Sequence, residues 1–152
     1  MPKRKHSTAR LQVAALPWRR TPSGALEIVL VTSRETRRLI VPKGWVSRGM
    51  PGAVTAASEA FEEAGLLGRI AETPIGAFDY DKRLDDGEIV RCRVEVYPFA
   101  VTGQADAYPE QGQRMIHWFP LSLAIELADD AGLVQLLRKI ARGKIALEGQ
   151  RG

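Results

Sequence analysis

The segment from Val41 to Leu66, VPKGWVSRGMPGAVTAASEAFEEAGL, passes from a Pro/Gly-rich loop into a helix with one alanine face and one glutamate face. Pro51 suits the first helical position, where its missing N–H costs nothing, and Gly65 suits a left-handed stop, so a helix is predicted over 51–64. At about 100° per residue, Ala53, Ala56, Ala57, Ala60 and Ala64 form one narrow stripe, which lets the helix lie close on a sheet. Glu59, Glu62 and Glu63 fall on a nearly opposite arc at i, i+3 and i+4. Three carboxylates so placed repel one another unless a cation neutralises them. Hard oxygen donors of this kind suit Mg²⁺ or Mn²⁺, with the phosphates of a ligand completing the shell.

A chain of 152 residues with 45% hydrophobic content fills one core and is short for two. A single domain is expected over 11–145, between a basic, disordered arm at 1–10 and a short C-terminal tail at 146–152. No apolar run reaches the roughly 20 residues that span a bilayer, and the N-terminus lacks a signal-peptide core, so the expected location is cytoplasmic, with no membrane partner. Lys3, Arg4, Lys5 and Arg10 account for the net charge of +4, leaving 18 basic against 18 acidic side chains elsewhere. No aromatic residues interleave with those charges, and nucleic acid is not an expected partner. The lone Cys92 sits in the alternating run Ile89–Tyr97 and reads as a strand residue; His6 and His117 have no companions that would make a metal pair or a triad.

Strands are predicted over Leu11–Pro17, Ala25–Thr32 and Leu39–Val41, with a turn at Thr21-Pro-Ser-Gly24. After the helix come strands at about Ile70–Tyr80, Ile89–Val101 and Arg114–Phe119, the first two joined by the Asp85-Asp-Gly87 turn. Leu121–Leu127 and Ala131–Ala141 read as helices. Periodicity alone gives a mixed α/β class. Sheet segments on both sides of the glutamate helix, followed by C-terminal helices, point further, to an α/β/α sandwich around a mixed β-sheet.

The spacing of Gly44, Glu59, Ala60, Glu62, Glu63, Gly65 and Leu66 resembles, without a gap, the Nudix hydrolase signature: Gly, five residues, Glu, seven residues, Arg-Glu, an aliphatic residue, any residue, Glu-Glu, any residue, Gly and an aliphatic residue. Two positions depart from it. Met50 stands where the family has its first Glu, and Ser58 where it has the Arg that helps orient the catalytic glutamates. Val31-Thr-Ser-Arg34, Pro42-Lys43-Gly44-Trp45, Tyr97-Pro-Phe-Ala-Val101, Tyr108-Pro-Glu110 and Trp118-Phe-Pro120 are similar to the branch holding the diphosphoinositol polyphosphate phosphohydrolases and diadenosine polyphosphate hydrolases.

The resemblance implies a Nudix-type α/β/α sandwich and a pyrophosphohydrolase that cleaves a phosphoanhydride bond in a highly phosphorylated small molecule. It also implies that Mg²⁺ or Mn²⁺ is held by Glu59, Glu62 and Glu63 with the Gly44 carbonyl as a further ligand. Anionic oxygens shield such a bond from nucleophiles, so the site must neutralise charge and deliver an oriented water. Glu59, Glu63 and Glu110 are candidates to take that water's proton, and the sequence leaves all three open. Arg34, Lys43 and Arg48 flank the box as candidate contacts for outer phosphates, with Arg37, Arg38, Lys82 and Arg83 as a wider rim. Trp45 reads as a loop anchor buried against the helix, and the absence of an aromatic clamp favours recognition by charge. Two other readings compete: a Nudix fold that senses a phosphorylated metabolite without turnover, and an RNA-end pyrophosphohydrolase.

Overall fold

The computed structural model describes residues 9–34 and 36–148. Most of the expected basic arm, including Lys3, Arg4, Lys5 and His6, and the last four residues of the tail lie outside them. Among the described residues, eight strands and three helices run in the order β1 (Arg10–Arg20), β2 (Leu26–Thr32), β3 (Leu39–Ile40), β4 (Lys43–Trp45), α1 (Gly52–Ala64), β5 (Leu66–Ile70), β6 (Gly76–Arg83), β7 (Ile89–Gln104), β8 (Ile116–Pro120), α2 (Leu121–Leu127) and α3 (Ala131–Ala141). Arg10 already pairs with Cys92, and at the other end Leu147 is buried while Glu148 accepts from Arg20 Nε at 3.1 Å, so the folded body extends past both expected boundaries.

The centre of the sheet is β1, whose buried run Gln12–Trp18 reflects cover on both faces. It lies parallel to β7 from Arg10↔Cys92 to Trp18↔Ala100. Its other edge is shared: β4 pairs antiparallel with residues 12–14 and β2 with 18–20. Pro17, which has no N–H to offer a ladder, falls in the gap between those two registers. One face of the sheet, with Val13, Ala15, Val29 and Val31, packs against Ala53, Ala56, Ala60 and Ala64 of α1. The opposite face, with Ala14, Leu16, Trp18, Ile28 and Leu30, packs against Ala124 of α2 and Leu133, Leu136 and Leu137 of α3. Helices on both faces of a mixed sheet make the expected sandwich.

Several elements differ from the sequence reading: β1 runs on to Arg20 and β7 to Gln104, and β8 starts only at Ile116. The strand expected over 70–80 is two strands, because β5 pairs with residues 99–104 of β7 and β6 with residues 89–96, and the connection through Pro74 spans the step between them. The stretch Lys43–Trp45, read as loop, is β4, too short for any periodicity to show. Pro51 caps α1 from an extended conformation (ψ 143°), so the helix starts at Gly52, one residue later than predicted.

Candidate active site

Four glutamates meet where α1 ends, and the backbone explains why. Gly65 adopts φ 68° and turns the chain directly from α1 into β5. The carbonyls of the last helical turn, which have no partners within the helix, are taken by the end of β7 and the segment after it: Gln104 Nε2 donates to Ala64 O (3.0 Å) and the Glu110 N–H to Glu62 O (2.9 Å). Ala105 N–H donates to Gly65 O at 2.8 Å, and the Tyr108 ring fills the space a side chain on Gly65 would need. Docked this way, the Tyr108-Pro-Glu110 loop sets Glu110 beside the helix glutamates.

From the other side comes β4. Gly44 pairs with Val13, whose side chain is on the α1 face, and a side chain added at Gly44 would collide with the Glu59 carboxylate. Ser58 Oγ donates to Glu62 Oε2 at 2.9 Å. Glu63, on the arc opposite the alanine stripe, is only 4% exposed. Burial, with a hydrogen bond shared with Glu59, pushes its carboxyl up to about 9. Burial also raises Glu59, and the charges of Glu62 and Glu110 add to that rise. The buried Glu63 and half-buried Glu59 carboxyls thus share a proton more tightly than free carboxyls would hold it.

A cation that the sequence reading missed stands against this cluster. Arg114 Nε lies 3.0 Å from Glu110 Oε1 and 3.8 Å from Glu63 Oε1, and Nη1 donates to Thr32 O at 3.2 Å. No local pattern marks Arg114; the available hint was that α1 carries three glutamates and no basic residue.

Of the expected site residues, the structure brings together Gly44, Glu59, Glu62, Glu63 and Glu110. Arg34 is nearby, its Nη1 donating to Gln113 Oε1 at 3.3 Å, and it lines a small cleft of about 130 Å³ with Thr32, Ser33, Arg37, Gln113 and Arg114. Lys43 is placed otherwise. Strand alternation that turns Gly44 towards α1 turns Lys43 to the opposite face, where its register partner is Ala14 and its Nζ sits 4.9 Å from the centre of the Tyr80 ring. Burial there lowers its pKa, offset in part by Asp130 and Glu63. Arg48 lies in the exposed turn before α1. Trp45 is 40% exposed and faces the same side as Gln12, so it does not anchor against the helix.

The donors fit a divalent cation in kind: one buried and two half-buried carboxylates with hard oxygens, and a glycine whose lack of a side chain leaves room beside Glu59. Among the described residues, no three acidic or imidazole groups already stand at ligating separations.

Comparison with known proteins bears on this arrangement. No family model matches the chain. It is 27% identical over 120 residues to the mitochondrial Nudix hydrolase 12 of Arabidopsis thaliana, covering 77% of this chain and 59% of that relative. It is 26% identical over 149 residues to the chloroplastic Nudix hydrolase 21 of the same plant, covering 92% of this chain and 71% of the relative. The chain therefore spans about three fifths of the length of the first of these relatives. The crystal structure of a C. elegans Ap4A hydrolase binary complex superposes with a TM-score of 0.69 at 22% identity, over 90% of this chain and 98% of that one. With its box residues gathered at the end of α1, the shared sandwich fold and these relatives in sequence, the chain is similar to the Nudix hydrolases in sequence and in fold.

Proposed function

We propose that the chain is a divalent-metal-dependent pyrophosphohydrolase acting on a highly phosphorylated small molecule, such as a diphosphoinositol polyphosphate or a dinucleoside polyphosphate. The observation that carries this reading is the convergence of Glu59, Glu62, Glu63 and Glu110 on one partly buried site, where burial and mutual proximity raise Glu59 and Glu63. The similarity to a protein whose structure is described as an Ap4A hydrolase supports the dinucleoside polyphosphates within that class. Glu59, Glu62 and Glu63, with the Gly44 carbonyl, would hold Mg²⁺ or Mn²⁺. When bound, such an ion neutralises phosphate charge and acidifies a water.

The chain's own residues do the rest. Glu110 is the proton acceptor we favour, because it reaches the site from a separate loop and is held in place by Arg114 Nε, 3.0 Å from its Oε1, where it can take a proton from the attacking water. Glu63, already protonated near neutrality, is the poorer base until the shared proton leaves. Arg34, in the cleft beside Arg114, is placed to contact an outer phosphate. Lys43 is not, since it faces the other side of the sheet.

A screen of phosphate release with Mg²⁺ across diphosphoinositol polyphosphates, diadenosine polyphosphates, ADP-ribose, nucleoside triphosphates and capped RNA ends tests the reading. Turnover of one of the first two groups, abolished by chelator, is the expected result. One observation favours a sensor: Glu62 Oε2 is already taken by Ser58, where the family pattern has an arginine. Tight binding without turnover in the same screen would establish that reading instead.

A further inference from the structure

We propose that Arg114 is a positioning residue for this site, holding Glu110 and Glu63 in place with a positive charge that α1 does not contain. The proposal rests on the hydrolase reading above and adds a role that the Nudix box residues leave unfilled.

Three observations carry it. First, α1 runs GAVTAASEAFEEA, with three carboxylates and no basic side chain, and at the box position before Glu59 a serine reaches only Glu62. The charge balance of Glu63 and Glu110 must therefore come from another element. Second, Arg114 has almost no other use. Its side chain is about nine-tenths buried, and its Nε points between Glu110 Oε1 at 3.0 Å and Glu63 Oε1 at 3.8 Å. Third, the guanidinium is itself fixed. Nη1 donates to Thr32 O, and the flanking backbone is locked by Met115 N–H to Thr32 Oγ1 (2.8 Å) and Thr32 N–H to Met115 O (3.0 Å). The β2–β8 ladder thus delivers one cation to one spot. A planar fork can serve two carboxylates and a carbonyl together, whereas an ammonium is a single point charge.

The test uses the full chain carrying Arg114→Met, Arg114→Lys, Glu110→Gln and the double variant Arg114→Met/Glu110→Gln. In chelator, the unfolding midpoints of the Met and Gln variants form a cycle that reads coupling without any turnover. Arg114→Met should lower the midpoint, and the same change should cost less than roughly half as much once Glu110 is neutral. In hydrolysis, Arg114→Met should lower kcat at least about tenfold with KM within roughly threefold, and Arg114→Lys should recover part of kcat. Additive midpoints in the cycle overturn the proposal. So does a folded Arg114→Met or Arg114→Lys protein with kcat within twofold of the parent for Met, or with Lys no better than Met. A rise in KM at constant kcat would make Arg114 a substrate contact and equally reject positioning. If the parent chain hydrolyses nothing in the screen, the hydrolase reading falls while the midpoint cycle still decides the role of Arg114.

Discussion

Gly44 of β4 and the Glu59 carboxylate of α1 touch across the gap between strand and helix, leaving no room for even a methyl group. Gly44 has no positive φ, so alanine is tolerated by the backbone, and the nearest group that must move is the tip of Glu59. We expect Gly44→Ala to unfold within a few degrees of the parent while turnover drops at least about tenfold and more Mg²⁺ is needed for half-maximal rate. A melting curve beside a Mg²⁺ titration separates this from general destabilisation; unchanged Mg²⁺ dependence would show that Glu59 is not a ligand.

The raised carboxyl of Glu63 predicts how stability varies with pH. A carboxyl that binds its proton more tightly in the folded than the unfolded chain stabilises fully below its ordinary range, and that contribution is lost as pH rises through the folded value, here about 9. In chelator, the parent should therefore melt at progressively lower temperature between about pH 5 and pH 9, and Glu63→Gln should flatten that slope and melt higher than the parent at pH 9. Parallel melting profiles for the two proteins would refute the shared proton.

Glu62 is half-buried, and its side chain accepts a hydrogen bond from Ser58. Glu62→Gln should keep the fold and the hydrogen bond to Ser58, yet lower turnover about a hundredfold or more if a divalent ion depends on its charge. Rates in Mg²⁺ for the parent and the variant, each with and without chelator, give the answer; full activity in Glu62→Gln removes Glu62 from the metal site.

Arg34 and Lys43 should behave oppositely despite their equal charge. Arg34→Ala should raise KM roughly threefold or more, most for longer phosphate chains and least at high salt, without moving the unfolding midpoint. Lys43→Met retains the buried stem and removes a charge that burial disfavours, so KM should stay constant and stability hold or rise. A KM effect from Lys43→Met would mean that substrate reaches both faces of the sheet.

Much of the fold was legible because its signals are local. Proline before α2, an apolar stripe in α3 and glycine after α1 fix those helices to within a residue of where they stand. The box glutamates were legible because a helix converts spacing into proximity. What escaped the sequence depends on register. Nothing in Pro42-Lys-Gly-Trp reveals a strand, yet once β4 pairs with β1 the alternation sends Gly44 to the glutamates and Lys43 away from them. Glu63 looks solvated on a helical wheel because the wheel cannot show the 104–114 segment folded over it, nor the Arg114 that arrives through pairing between strands more than eighty residues apart.

The bonds from the 104–110 segment to the end of α1 tie the mobility of that loop to the integrity of the candidate site. The last helical turn cannot fray without releasing Ala105 and Glu110, and the loop cannot lift without exposing helix carbonyls that have no other partner. Helix end and loop therefore open as one cooperative unit, governed by a single local free energy. Sampling of open forms at the substrate side is set by the stability of a helix terminus, so sequence changes that strengthen this terminus would slow ligand exchange without touching any residue of the reaction.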